Sequence, residues 1–371
     1  MAITQITAEP IGGIVRQEIA IVSSLGAHLV GNYVLIRVRD DAGREGLGEA
    51  SVTSVWSGET QSGVIALVQE FLAPLVMGAD PFDVDWIMRR IDRAAHVNSF
   101  AKAAIESALL DLQGKTLGVP LYQLLGGRDQ TLDGHGVSQP SPGIRLKFVI
   151  GKVDPNTAAQ RAATMVAKGW TCIKVKVGQD PHADVARLRA VRASIGPDTM
   201  LTVDANGGYT VDQAVWAARQ FEPLDVRLLE QPTRRGDHRA MAEVRRRVGL
   251  PVMADESVFT ALDALEAIRH DAADVLSLYP GKHGGVRATQ NIARMAESAG
   301  IVCTIGSNLE REVATAAMAH LTVATPNIQC ERFPGDLIGP LYYEQALGNR
   351  PLAYHGDRLQ LPDGPGLGVN L

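Results

Sequence analysis

Residues 171–206, TCIKVKVGQDPHADVARLRAVRASIGPDTMLTVDAN, read as a strand, a helix and a strand, and this unit decides the fold. The β-branched run from Cys172 to Val177 suits a buried strand, the stretch DVARLRAVRASIG is amphipathic, and a second apolar run ends at Asp204. Working outward, the alternation persists. Short apolar strands at 145–150, 172–177, 200–204, 227–230, 251–254, 274–279, 301–305 and 327–331 are separated by amphipathic stretches such as TAAQRAATMVAKG and VRATQNIARMAESAG. Eight strands with seven helical stretches between them predict an α/β fold, a (β/α)8 TIM-type barrel. An open, doubly wound sheet is the competing arrangement, and the eightfold count favours closure.

The opening strand raises a chemical question. Lys174 and Lys176 are two residues apart, so both side chains point to one face of a strand that otherwise reads as buried. Three following strands end in carboxylates: Asp204 in LTVDAN, Glu230 in RLLEQP and Asp255 in PVMADES. At this period each lies one strand further round at the same height, which brings all three to the C-terminal mouth of a barrel. Converging carboxylates need a cation. Hard oxygen donors without a His or Cys ligand pattern point to Mg²⁺ rather than zinc. A substrate carboxylate held there has an acidified α-proton, which a lysine on the preceding strand can remove if a neighbouring ammonium lowers its pKa.

Before the barrel, AITQITAEPIG and NYVLIRVRDDAGREGLGEA read as strands, the second interrupted by an Asp-Asp-Ala-Gly hairpin centre; residues 60–92 and 98–117 then turn helical, the latter closing at Gly118. The division expected is an α+β unit over 1–130, the barrel over 131–334, and a Gly- and Pro-rich segment over 335–371 that returns to cover the first unit. The first boundary falls in LLGGRDQTLDGHGVSQPSPG.

The 371 residues carry 36 Lys+Arg against 41 Asp+Glu, a formal charge of -5, which argues against nucleic acid or an anionic membrane as partner. A small molecule remains. Cys172, Cys303 and Cys330 are far apart and each sits in an apolar run, as expected of buried thiols in a reducing, cytoplasmic compartment. The start MAITQITAEPIGG lacks the apolar core of a signal peptide, and no G-x-G-x-x-G lies between a strand and a helix.

Together IKVKVG, VDANGGY, LLEQPT, MADESV and the glycine pair of GKHGGV resemble the enolase superfamily, and within it the muconate-lactonizing subgroup of the mandelate racemase/muconate lactonizing enzyme family. GREGLGEA, WSGET and PLYQLLGG are similar to that family's capping domain, so the likeness spans nearly the whole chain. The resemblance implies Mg²⁺ on Asp204, Glu230 and Asp255, Lys176 as acid/base, Lys174 as its electrostatic partner, Asn206 near the metal, and a homo-oligomer. It also implies loops of the capping domain, around 21–31 and 51–59, closing over the mouth with Trp56 as a wall.

One departure matters. The subgroup carries a second catalytic lysine at the end of the sixth strand, where this chain reads SLYPGKHGG and has Tyr279; Lys282 follows past a Pro-Gly turn. Tyrosine is a poor second base. A seventh-strand histidine is also missing, with Ser307, Asn308, Glu310 and Arg311 in its place, while His283 and His320 read as a loop and a helix histidine. One-base chemistry through a metal-stabilised enediolate is therefore expected: a dehydratase or cycloisomerase acting on a hydroxy acid or dicarboxylate, with Tyr279 as a neutral donor. Glu331, Arg332 and Asp336 on the eighth strand are placed near the mouth, where polar residues suit such a substrate. Racemisation or epimerisation of an amino-acid derivative is the alternative, with Lys282 as the second base. A Schiff-base aldolase, needing a buried lysine and no metal, and a metal-binding homologue without catalysis are readings of other classes.

Overall fold

The structure is a computed structural model that describes all residues except 25, 133–137 and 350; the side chains of 130–132 and 138–140 are also outside it. Part of the linker in which the first boundary is placed thus lies outside the described residues. Seven parallel strands form one sheet in sequence order: Phe148–Ile150, Cys172–Lys176, Met200–Asp204, Val226–Glu230, Val252–Ala254, Val275–Leu278 and Val302–Ile305. The helices between them begin where side chains cap them. Asp154 accepts from Thr157 N and Asp180 from His182 N, each just before a proline that needs no backbone partner, and Thr210 and Thr260 form capping boxes with Gln213 and Asp263.

The eighth stave differs from its expected form. Residues 327–331 are not a regular strand, yet the segment closes the barrel: Ile328 bridges in parallel to Cys303 on one side, and Gly335 to Leu146 on the other. Asp336 N donates to Ile305 O at 3.0 Å and Lys147 N to Gly335 O at 2.9 Å, so the first and seventh staves are joined through it. The fold is a (β/α)8 barrel with an α+β capping domain.

That capping part is a three-stranded antiparallel sheet, Ile3–Ile14, Val30–Asp40 and Glu45–Ala50, laid against the helix Ser99–Leu117. Contact is close enough to require glycine in the third strand: a Cβ on Gly46 or Gly48 would lie 2.0 or 1.8 Å from the carbonyl oxygen of Ala108 or Ala104. Buried carboxylates tie the parts together. Glu49 accepts from Arg311 N and Ala314 N at the start of the helix Glu312–Val323, Glu59 from Phe100 N and Ala101 N, and Asp111 from Leu47 N and Leu367 N. Cys172, Cys303 and Cys330 are buried free thiols. No described helix is long and apolar enough to cross a membrane.

Candidate active site

Strand register aligns the reactive groups. Lys176 is the partner of Asp204, and Asp204 of Glu230, so the three occupy one row across adjacent strands. Asp255 lies just beyond the next strand, where its N–H donates to Gln231 Oε1 at 3.0 Å. The backbone at this mouth is strained: Asn206, Gln231 and Leu309 all have positive φ, at 43°, 35° and 57°, and each follows the end of a barrel strand.

A cavity of about 850 Å³, including its open entrance, lies over this row. Lys174, Lys176, Asp204, Asn206, Glu230, Asp255, Asp336, Ser307 and Asn308 line its barrel side; Ile21, Ser23, His28, Thr53, Val55 and Trp56 line its capping side. Both capping loops singled out from the sequence are therefore at the cavity.

Lys176 Nζ lies 2.5 Å from Asp204 Oδ2 and 2.9 Å from Asn206 Oδ1. The Asn206 amide is oriented by donating to Glu256 Oε1 at 2.7 Å, and Trp56 Nε1 approaches the same oxygen at 3.5 Å. Lys174 Nζ is shared among Asp336 at 2.8 Å, Glu230 at 3.1 Å and Asp204 at 3.5 Å. Burial opposes the charge on Lys174, but these carboxylates outweigh it and raise its pKa well above the usual lysine range. Lys174 is thus a permanent ammonium. Burial likewise acts against ionised Asp204, yet Lys176 and Lys174 hold its pKa down. Glu230 is pushed up to about 8 by burial and by Asp204, and Glu256 to about 7 by burial and by Asp255.

Among the described residues no three of His, Cys, Asp and Glu are already gathered at metal-binding spacing; ammonium groups stand between the carboxylates. The residues present nonetheless fit a hard divalent cation. Asp204, Glu230, Asp255, Glu256 and Asp336 face Lys147, Lys174, Lys176 and Lys282, five acids against four ammoniums. Burial and a neighbouring carboxylate push Glu230 and Glu256 up, a crowding of negative charge that a divalent cation would relieve. Glu256 Oε2 and Asp336 Oδ1 are buried without a hydrogen-bond partner among the described residues, which is a further sign of unfilled acceptor capacity.

Other sequence-selected residues lie outside the cavity wall. Tyr279 is fully buried behind Trp56, the two rings stacked at 5.4 Å, and its hydroxyl has no partner among the described residues. Burial and the nearby Asp255 raise its pKa well above the usual phenol range. Lys282 sits on the short helix Pro280–His283 and its side chain is 0% exposed. Its Nζ reaches Asp255 Oδ1 at 2.7 Å, Ser277 O at 2.7 Å and Asp255 O at 2.9 Å, so all three N–H groups are donated inward. It braces Asp255 and does not touch the cavity. His283 ends the same helix instead of sitting in a loop, with Nδ1 at 2.8 Å from Phe259 O; His320 is on a helix, as expected. Glu310 is buried beneath the seventh-strand loop, accepting from Ser307 Oγ and Asn308 N, and supports those residues from behind.

Glu331 is a correction. It points to the opposite end of the barrel, 65% exposed and paired with Arg358 at 2.6 Å, because the irregular eighth stave does not follow strand alternation. Arg332 lies at that same end, where it lines a surface cleft together with Asp198 and Asp225. Sequence reading passed over Glu256, Lys147, Gln231 and His28. Glu256 was open to notice as the neighbour of Asp255, and Gln231 as the neighbour of Glu230; Lys147 and His28 carried no local signal.

A barrel mouth with a lysine pair facing a row of carboxylates, under a capping domain, defines an acid/base enzyme of the enolase superfamily. Residues 13–126 match the mandelate racemase / muconate lactonizing enzyme N-terminal domain, and residues 157–371 the family described as enolase C-terminal domain-like. The chain belongs to this family, in its muconate-lactonizing-like subgroup. It is 32% identical to an L-Ala-D/L-Glu epimerase of Bacillus subtilis, covering 91% of this chain and 88% of that one. It is also 32% identical to a muconate cycloisomerase of Pseudomonas putida, again covering 91% and 88%. Among solved structures, a dipeptide epimerase from Enterococcus faecalis complexed with Mg and L-Leu-L-Tyr superposes with a TM-score of 0.90 at 30% identity, covering 99% of both chains. A 2-chloromuconate cycloisomerase from Rhodococcus opacus gives 0.92 at 28%, covering 100% of this chain and 97% of that one.

Proposed function

We propose that this enzyme removes the α-proton of a small carboxylate substrate with a single base, Lys176, and that the reaction completed is β-elimination of water from a hydroxy acid. The observation that carries the reading is the asymmetry of the two sides. Lys176 opens on the cavity, whereas the other side offers Tyr279, buried and held neutral, and Lys282, whose three N–H groups are already donated.

Asp204, Glu230 and Asp255 would hold Mg²⁺, which when bound supplies Lewis-acid charge that acidifies the proton next to the substrate carboxylate. Lys174 places a fixed ammonium beside the same carboxylate. Lys176 as the free amine takes the α-proton, the electron pair expels the β-hydroxyl as the Cβ–O bond breaks, and the proton now on Lys176 passes to the departing oxygen, so that water leaves from the same face. Asn206 and Asp204 hold Nζ in place throughout.

Cycloisomerisation is the second reading. It needs the same single base, and two of the relatives named above are cycloisomerases. Epimerisation, which the epimerase relatives favour, needs a proton donor on each face. The test is incubation of small hydroxy acids with the enzyme and Mg²⁺ in D₂O. Loss of water, with deuterium entering from one face only, is the expected result; interconversion of two α-epimers, with deuterium in both, would overturn the one-base reading.

A further inference from the structure

Behind the carboxylate row, Gln231 is bonded to the backbone beyond Asp204, beyond Glu230 and at Asp255. It directly follows Glu230, is 0% exposed and holds φ at 35°. Its backbone N–H donates to Met253 O at 2.8 Å, and its carbonyl accepts from Gly207 N, in the loop after Asp204, at 2.7 Å. Its side-chain Oε1 accepts from Asp255 N at 3.0 Å and Ser257 N at 3.1 Å, while Nε2 donates to Thr233 O at 2.8 Å and Ser257 Oγ at 2.7 Å. The partners decide which end of the amide is which. Two N–H groups face one end and a carbonyl faces the other, so the flipped amide would set donor against donor and acceptor against acceptor. Both lone pairs and both protons are thus used, which leaves the side chain one orientation. A positive φ is unfavourable for a residue with a Cβ, and here it persists because bonds on every side hold it.

We propose that Gln231 is a positioning residue that fixes the separation of Glu230 and Asp255, and that it thereby makes the site discriminate a small octahedral divalent cation from a larger one. The proposal rests on the reading that Asp204, Glu230 and Asp255 hold Mg²⁺. That ion demands oxygen donors at about 2.1 Å in near-ideal octahedral geometry, whereas Ca²⁺ accepts donors at about 2.4 Å in flexible arrangements. Carboxylates on separate strands meet the stricter demand only where the strand ends keep a constant spacing. Gln231 supplies it: Glu230 is its covalent neighbour, the Asp255 backbone hangs from its Oε1, and the loop after Asp204 hangs from its carbonyl. An apolar side chain in its place would leave Asp255 N, Ser257 N and Thr233 O without these bonds.

Isothermal titration calorimetry of the full chain, stripped of metal with EDTA, tests this without any substrate. Dissociation constants for Mg²⁺ and Ca²⁺ are read for the unaltered protein, Gln231→Met and Gln231→Glu, with circular dichroism to establish that each is folded. Gln231→Met is expected to weaken Mg²⁺ binding by about tenfold or more, the loss usual when an outer partner of a metal ligand is removed, and Ca²⁺ binding by much less. The ratio of the Ca²⁺ constant to the Mg²⁺ constant therefore falls. A residue that only supported the fold would lower the melting point and leave this ratio unmoved. Gln231→Glu keeps the length and one acceptor but turns an oxygen toward Thr233 O in place of a donor, so it should lower the ratio in the same direction. Its added charge acts on both divalent ions alike and cancels in the ratio. Mg²⁺ binding that Asp255→Asn weakens, together with an unchanged ratio in the folded Gln231 variants, would overturn the proposal and leave the metal site standing. No Mg²⁺ binding by the unaltered protein, or binding that Asp255→Asn does not weaken, would instead overturn the metal reading and the proposal with it. Failure of both Gln231 variants to fold would assign the residue to folding and likewise overturn the proposal.

Discussion

Replacing Lys282 with methionine isolates the charge that braces Asp255. Methionine keeps an unbranched stem against the Tyr279 ring, over which Nζ now lies at 4.8 Å, and deletes the three donated hydrogen bonds. Asp255 is then left as a buried carboxylate without its ammonium, and breaking one partner out of a buried pair costs about 3–5 kcal/mol. At roughly 2.1 cal/mol/K per residue, 371 residues lose about 0.8 kcal/mol for each degree at the unfolding midpoint, so the variant is expected to melt about 4–6 °C lower. Calorimetry in EDTA reads this directly. Repeating it with saturating Mg²⁺ should shrink the difference, since a cation on Asp255 replaces the missing charge. A variant as stable as the parent in EDTA would refute the bracing role, and an unchanged deficit in Mg²⁺ would argue that Asp255 is not a ligand.

Lys176→Ala should abolish α-proton exchange while leaving calorimetric Mg²⁺ binding in place, and Lys174→Ala should slow exchange without ending it; the reverse order would exchange their roles. Glu106 is pushed up to about 7 by burial, so between about pH 4.5 and 7 the folded state holds a proton that the unfolded state has lost, and stability falls as pH rises through this window. Glu106→Gln should flatten that fall in urea titrations at pH 5 and pH 7; an unchanged slope would sink the assignment. Gly48→Ala, whose Cβ would lie 1.8 Å from Ala104 O, should leave the protein insoluble or lower its melting point by more than 5 °C, as measured by expression and thermal unfolding.

What could be read from sequence divides along the regularity of the backbone. Lys174, Lys176, Asp204 and Glu230 lie on regular strands, where two-residue alternation and a constant repeat determine which way a side chain points and how high it sits. Glu331 and Asp336 lie on the stave that is not a strand, and there alternation decides nothing: one faces solvent at the far end and the other faces Lys174. Lys282 was legible as a residue with another approach, but the helical turn over Pro280–His283 that folds it back under Asp255 was not. The surroundings of Lys174 were not legible either. Charge alternation along a strand says nothing of the carboxylates that meet it from other strands, and these make Lys174 a fixed cation bound to three acids. Within the 21–31 loop nothing local distinguished His28, whose neighbours, Tyr33 and through it a carbonyl about 280 residues away, are brought together only by the fold.

The eighth stave has a consequence for how the molecule comes together. Asp336 meets Lys147 at 3.0 Å and Lys174 at 2.8 Å, joining positions 189 and 162 residues apart along the chain. Sealing the cylinder and neutralising its interior are therefore a single event. While the seam is open, two lysines that belong to the dry inside have lost a shared counterion, and a barrel parted at this edge is penalised twice, in ladder bonds and in charge. The seam that looks weakest by its hydrogen-bond pattern is fastened electrostatically, and the fastening is also one wall of the cavity over the carboxylate row.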